Sequence, residues 1–204
     1  MKEGISIQRN EKERILRTKI ADVAMRLIHE YGFDSVTMES VAASCEITKR
    51  TLYRYFPEKE AILSEYVRMT FAAKKESRRK ALLQTQSMEE RVRLYMHDLM
   101  KGVMNEPQIF EKFIMYVMKN LVSFNAGSGQ PSGITDLTEL IIQSGYEEEK
   151  IDLSLPYGVI VDLFVFAFVE MTKIYYRDPT AFDEEKTLNI CADLFMNGVR
   201  RKAV

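Results

Sequence analysis

Between Ile47 and Pro57 the chain reads Ile-Thr-Lys-Arg-Thr-Leu-Tyr-Arg-Tyr-Phe-Pro, a run with three cations and two phenols but no acid. Set on a helix at about 100° per residue, Thr48, Thr51, Leu52 and Tyr55 share one side, while Lys49, Arg50, Tyr53 and Arg54 share the other. The first side can pack on neighbours. The second offers three cations and a phenol from a rigid support. Lysine and arginine reach guanine O6 and N7 or phosphate, and hydroxyls and amides at a helix start bind phosphate oxygens. The chemistry indicated is docking on nucleic acid. A short solvated helix would carry the same cations, so the flanking sequence has to decide. Nothing competes from the side of catalysis: His29 and His97 each stand alone, and no nucleophile motif or phosphate-cradling glycine loop occurs. Cys45 and Cys191 form no C-x-x-C pair. No enzyme, cofactor or metal is therefore expected, and the cysteine usage fits a reducing cytoplasm.

The elements that must hold this run can be read from caps and periodicity. Thr37 caps a short helix through Val41 and Ala42, a break follows at Ser44 to Glu46, and Thr48 caps the basic helix to Tyr55 or Phe56. Two short helices joined by a tight turn, the second of them basic, have helix-turn-helix geometry. Upstream, Asn10 and Glu13 resemble a capping box, Ile15, Ile20, Val23, Ala24, Leu27 and Ile28 recur at helical spacing, and Gly32 is a stop. A first helix is expected over Glu11 to Tyr31. Pro57, Glu58 and Glu60 open a fourth helix that continues into the polar run Lys74 to Lys80. Ser87 and Glu90 then open a helix carrying Val92, Met96, Leu99 and Val103, and Pro107 starts another with Phe110, Phe113, Ile114, Val117, Met118 and Leu121. Asn125 to Gly133 reads as a loop. Helices over Ile134 to Gln143, Leu155 to Tyr176 and Asp183 to Arg201 complete an all-α expectation.

Thr37-Met38-Glu39-Ser40-Val41-Ala42 followed by Ile47 to Leu63, with Ile20 to Ala24 and Tyr31-Gly32-Phe33 upstream, resembles the signature of the TetR/AcrR-type transcriptional regulators. The likeness covers residues 11 to 65. It implies an all-α homodimer whose third helix enters the major groove of a palindromic operator in double-stranded DNA. It further implies phosphate contacts from Tyr53 and Lys59, help at helix starts from Thr37 and Thr48, and base contacts from Lys49 and Arg50. Glu46 departs from the pattern, since the family usually has glycine in this turn. If the position needs positive φ, a side chain there costs about 1 to 2 kcal/mol.

The chain has 204 residues, 46% apolar and 29% charged, enough for a sizeable core and unlike a disordered or repetitive polymer. Residues 1 to 80 hold 17 basic against 12 acidic side chains and residues 81 to 204 hold 12 against 18, a basic head beside an acidic body. Val159 to Met171 is interrupted by Asp162 and Glu170, short of the roughly 20 apolar residues a membrane span needs. The charged N-terminus has no signal-peptide core.

Three parts are expected: a helix-turn-helix domain over 1–57, a connecting helix over 58–80, and an effector-binding and dimerisation domain over 81–204. In the last, Met96, Met100, Phe113 and Met118 supply thioether and aromatic walls that can repack around a small apolar or aromatic guest. A stripe of methionines can equally be plain core. The helix Leu155 to Tyr176 is apolar nearly all round and must be covered on several faces. The resemblance implies that it pairs with the last helix and their copies in a second subunit, with Phe164, Phe168 and Leu194 at that interface. The function so indicated is a repressor released by a small apolar effector. A partner-regulated DNA-binding protein of the same fold, with no effector, is the alternative.

Overall fold

The computed structural model describes residues 2–121, 133–135 and 137–201. It is helical: α1 Lys2–Tyr31, α2 Met38–Ser44, α3 Lys49–Tyr55, α4 Lys59–Leu83, α5 Met88–Asn105, α6 Pro107–Leu121, α7 Thr138–Glu147, α8 Tyr157–Arg177 and α9 Glu184–Val199. The chain divides into two compact units, Met1–Thr70 and Phe71–Val204, and the boundary falls inside α4. The loop expected over Asn125 to Gly133 lies outside the described residues except for Gly133.

In the first unit α1 buries Ile20, Ala21, Ala24 and Ile28 along one stripe. It ends where Gly32, at φ 83°, turns its N–H onto the Ile28 carbonyl at 2.8 Å. The expected start at Asn10 is corrected, because α1 already runs from Lys2. No proline interrupts residues 2–16, and pairs such as Glu11–Arg14 (2.7 Å) support the helix further along, so the capping-box pattern stops nothing. Thr37 closes a capping box with Ser40, and Thr48 accepts from the Thr51 amide, both as expected.

The second unit is built around α8, which packs against α9, with α5 against α9, α6 and α7. Tyr95 stacks on Phe164 at 5.6 Å, and Phe195 meets Phe164 edge-on at 5.6 Å, an aromatic centre shared by α5, α8 and α9. Arg91 closes the α4–α5 turn by donating to the Leu82 carbonyl (3.2 Å) and the Thr85 carbonyl (3.0 Å) while pairing with Glu148 (2.7 Å). An isolated antiparallel bridge, Ile151 with Arg200, ties the end of α9 to the α7–α8 connection. The helix expected from Ile134 begins later: Gly133–Thr135 is a turn of 3₁₀ helix, and α7 starts at Thr138, whose hydroxyl donates to the Thr135 carbonyl at 2.7 Å. Among the described residues, no helix is long and apolar enough to cross a membrane.

Candidate nucleic-acid interface

α3 has only seven residues, too few to be stable alone, so its neighbours must hold it. They do so from one side. Leu52 and Phe56 are wholly buried with Val41 and Cys45 of the α2 segment. Arg17 of α1 donates to the Tyr55 carbonyl at 2.9 Å, lies 4.4 Å from the Phe56 ring centre, and pairs with Glu65 of α4 at 3.0 Å. Burial alone would raise the pKa of the Glu65 carboxyl. Hydrogen bonds from Arg68 and Arg17 outweigh it and hold the group below the usual carboxylate range.

The turn between α2 and α3 is a Schellman closure. The Ile47 amide reaches the Ala42 carbonyl and the Glu46 amide the Ala43 carbonyl, each at 3.0 Å. Closing it requires positive φ at the residue after the cap, and Glu46 stands there at φ 57°. The strain anticipated from the sequence is present at this position.

The opposite side of α3 is open. Lys49, Arg50, Tyr53 and Arg54 are all exposed, Tyr53 at 47%. Arg54 leans on its neighbour, with its guanidinium 5.0 Å from the Tyr55 ring centre. Thr37 and Thr48 spend their hydroxyl oxygens on capping their own helices. Lys59, expected on phosphate, is bonded to backbone in the free chain. Its ammonium donates to the carbonyls of Phe33 and Val36 and sits 4.1 Å from the Phe33 ring centre, pinning the α1–α2 connection to the start of α4. Two residues escaped notice in the sequence. Arg17 gave no signal, since its partners are 38 and 48 positions away. Glu39 was visible only within a motif, and its carboxylate meets the Lys49 ammonium at 2.9 Å.

In the second unit, Met96, Met100 and Phe113 are fully buried and Met118 is half-buried, with Phe110 edge-on to Phe113 at 5.8 Å. A cleft of about 210 Å³ opens elsewhere, between Arg78, Ala81 and Leu82 of α4 and Leu94, Tyr95 and Asp98 of α5. Of the three residues expected at a subunit interface, only Leu194 is available, at 60% exposure. Phe164 and Phe168 are corrected to the core of this chain, where their rings are already covered by its own helices. Val159 and Phe166 on α8 and Ile190 on α9 are exposed apolar side chains as well. No group of three or more metal-ligating side chains occurs among the described residues.

Residues 20–66 match the family described as bacterial regulatory proteins, tetR family. The chain is 39% identical over 51 residues to an uncharacterized HTH-type transcriptional regulator of Mycobacterium tuberculosis, covering 24% of this chain and 25% of that protein. It is 37% identical over 51 residues to the HTH-type transcriptional regulator UidR of Escherichia coli, covering 25% and 26%. The chain thus spans about a quarter of the length of the curated relatives it matches. Among solved structures, a TetR-family transcriptional repressor, FadR of Thermus thermophilus, in complex with lauroyl-CoA, aligns over 92% of this chain and 97% of its own, with TM-score 0.71 and 22% identity. RolR in complex with resorcinol aligns over 95% and 91%, with TM-score 0.64 and 17% identity. At 22% and 17% identity those two likenesses bear on the fold alone.

Proposed function

We propose that this chain, whose residues 20–66 match the tetR family of bacterial regulatory proteins, is a homodimeric repressor, not an enzyme, that binds a palindromic operator and is released by a small apolar effector. The observation that carries this reading is the open side of α3, with Lys49, Arg50, Tyr53 and Arg54 exposed on a helix whose other side is anchored by Leu52. Dimerisation is supported by the exposed apolar side chains Val159 and Phe166 of α8 and Ile190 and Leu194 of α9, two helices packed on each other, which a second copy would cover. An apolar effector is supported by the thioether and aromatic walls of α5 and α6. The relatives of this fold solved with lauroyl-CoA and resorcinol fit an acyl chain or an aromatic ring as its class.

Duplexes selected from a random pool by the purified protein, followed by affinity titration, test the DNA reading. Arg50→Ala should weaken the selected site by about 1 to 3 kcal/mol while leaving random duplex nearly unchanged, the mark of a base contact. An equal loss on every sequence would contradict that role.

The full burial of Met96, Met100 and Phe113 speaks for the second reading, a body regulated by protein partners with no small molecule. Thermal melts with acyl-CoA esters and simple phenols separate the two. A ligand that binds only the folded chain raises its melting temperature with concentration. The effector reading predicts that rise, and its loss in Met100→Trp with DNA binding kept.

A further inference from the structure

Glu39 is the second residue of α2 and Lys49 the first of α3, and their side chains meet across the turn at 2.9 Å with about half or more of each exposed. An ion pair so exposed and so open to solvent screening adds little to stability, which gives it little purpose in the fold. Its consequence lies on the surface. On a face otherwise set with Arg50, Tyr53 and Arg54, it fixes an acceptor and a donor side by side. The bond to Lys49 holds the Glu39 carboxyl below the usual range, so the group is ionised at neutral pH.

A carboxylate brought to DNA meets repulsion from every phosphate and finds attraction only at a base donor. We propose that Glu39 and Lys49 together read one C·G pair of the operator, Glu39 accepting from the cytosine N4 amino group and Lys49 donating to guanine O6 and N7. The inference rests on the reading of the first unit as a duplex-binding head. In the major groove a C·G pair presents one donor followed by two acceptors, an order that matches a carboxylate beside an ammonium. An A·T pair instead flanks its single donor with acceptors on both sides, N7 and O4, and one of these would oppose the carboxylate's second oxygen. Lys49 is thereby a base reader only in company with Glu39, and Glu39 is a specificity-determining residue.

The test is selection from random duplex by the full chain, with Glu39→Gln and Glu39→Ala beside the wild type, followed by titrations on the selected site and on random duplex at several salt concentrations. The wild type should demand a C·G pair in each half-site and lose about 5- to 150-fold when it is replaced by T·A. Glu39→Gln should move the preference at that place toward adenine, since an amide side chain pairs with adenine N6 and N7. Glu39→Ala should flatten it, bind random duplex more tightly, and steepen the salt dependence by about one phosphate as Lys49 is freed. Both variants selecting the wild-type site with unchanged preference at every position would overturn the inference while leaving the DNA-binding head intact. A wild type that selects no sequence at all would overturn that premise, and the inference with it.

Discussion

Glu46 and Lys59 both act on the backbone that frames the basic helix, one by its own φ and the other by its hydrogen bonds. Glu46 stands at φ 57°, the left-handed conformation that the closure between α2 and α3 requires, at the place where the resembled family usually has glycine; that resemblance, and not the spacing of the caps, marked the position. Glu46→Gly removes the Cβ that crowds the following carbonyl but adds freedom to the unfolded chain, so a net gain of about 0.5 to 1 kcal/mol is expected in urea melts. Removing the carboxylate from beside the cationic face should also tighten binding to random duplex. For Lys59 the family pattern fixes a residue type but not the partners it has in the free protein. An ammonium bonded to the carbonyls of Phe33 and Val36 is satisfied in the free protein. Lys59→Met leaves two acceptors without that donor and should cost about 1 to 3 kcal/mol of stability, a loss that would be absent if its ammonium served phosphate alone.

Each helix of the head could be found from caps and periodicity because those signals are local, whereas what ties the helices to one another is not. α3 is seven residues long, and one end of it is held by Arg17, whose guanidinium joins the Tyr55 carbonyl of α3 to Glu65 of α4. Glu65 is only 4% exposed, so an ionised carboxylate there depends on both of its arginines. Glu65→Gln leaves those guanidiniums without a counter-charge and should cost about 3 kcal/mol at neutral pH. The pH dependence has a definite sign. The folded-state pKa of Glu65 is lowered from its ordinary value, so its contribution is fully present above the unfolded value of about 4.3 and is lost as pH falls through the folded one. Urea melts of the full chain should therefore show a gap between wild type and Glu65→Gln that is constant from pH 5 to 7 and closes below about pH 4. The start of α1 illustrates the converse failure. Asn10 and Glu13 have the spacing of a cap, yet the helix passes through them, because a cap is needed only where the preceding residues are not helical.

At the scale of the whole molecule the question is what covers α8 and α9. The sequence marked α8 as apolar nearly all round, but it could not say which faces this chain covers for itself, since that depends on where α5 and α9 lie. Phe164 is stacked on Tyr95 and capped by Phe195, so its surface is spent within the chain; Leu194 is 60% exposed on α9, and Val159 and Phe166 of α8 are exposed as well. The two positions therefore separate folding from assembly. Phe164→Asp places an unpaired charge in the aromatic centre and should prevent the body from folding. Leu194→Asp places the same charge in water when the chain is alone, so a folded monomer is expected with helical content and melting behaviour close to those of the wild type. In the proposed dimer that charge would be buried without a partner, and association should be lost. The effect on DNA follows from linkage. Two joined heads bind two half-sites about one helical turn apart with a second step that is intramolecular, and separating them should weaken operator binding by about 10²- to 10⁴-fold, while binding to an isolated half-site changes little. Light scattering at micromolar concentration, run beside titrations on whole and half operators, measures both. A Leu194→Asp chain that remained dimeric would move the interface off this face, and a wild type that ran as a monomer would remove the dimer altogether.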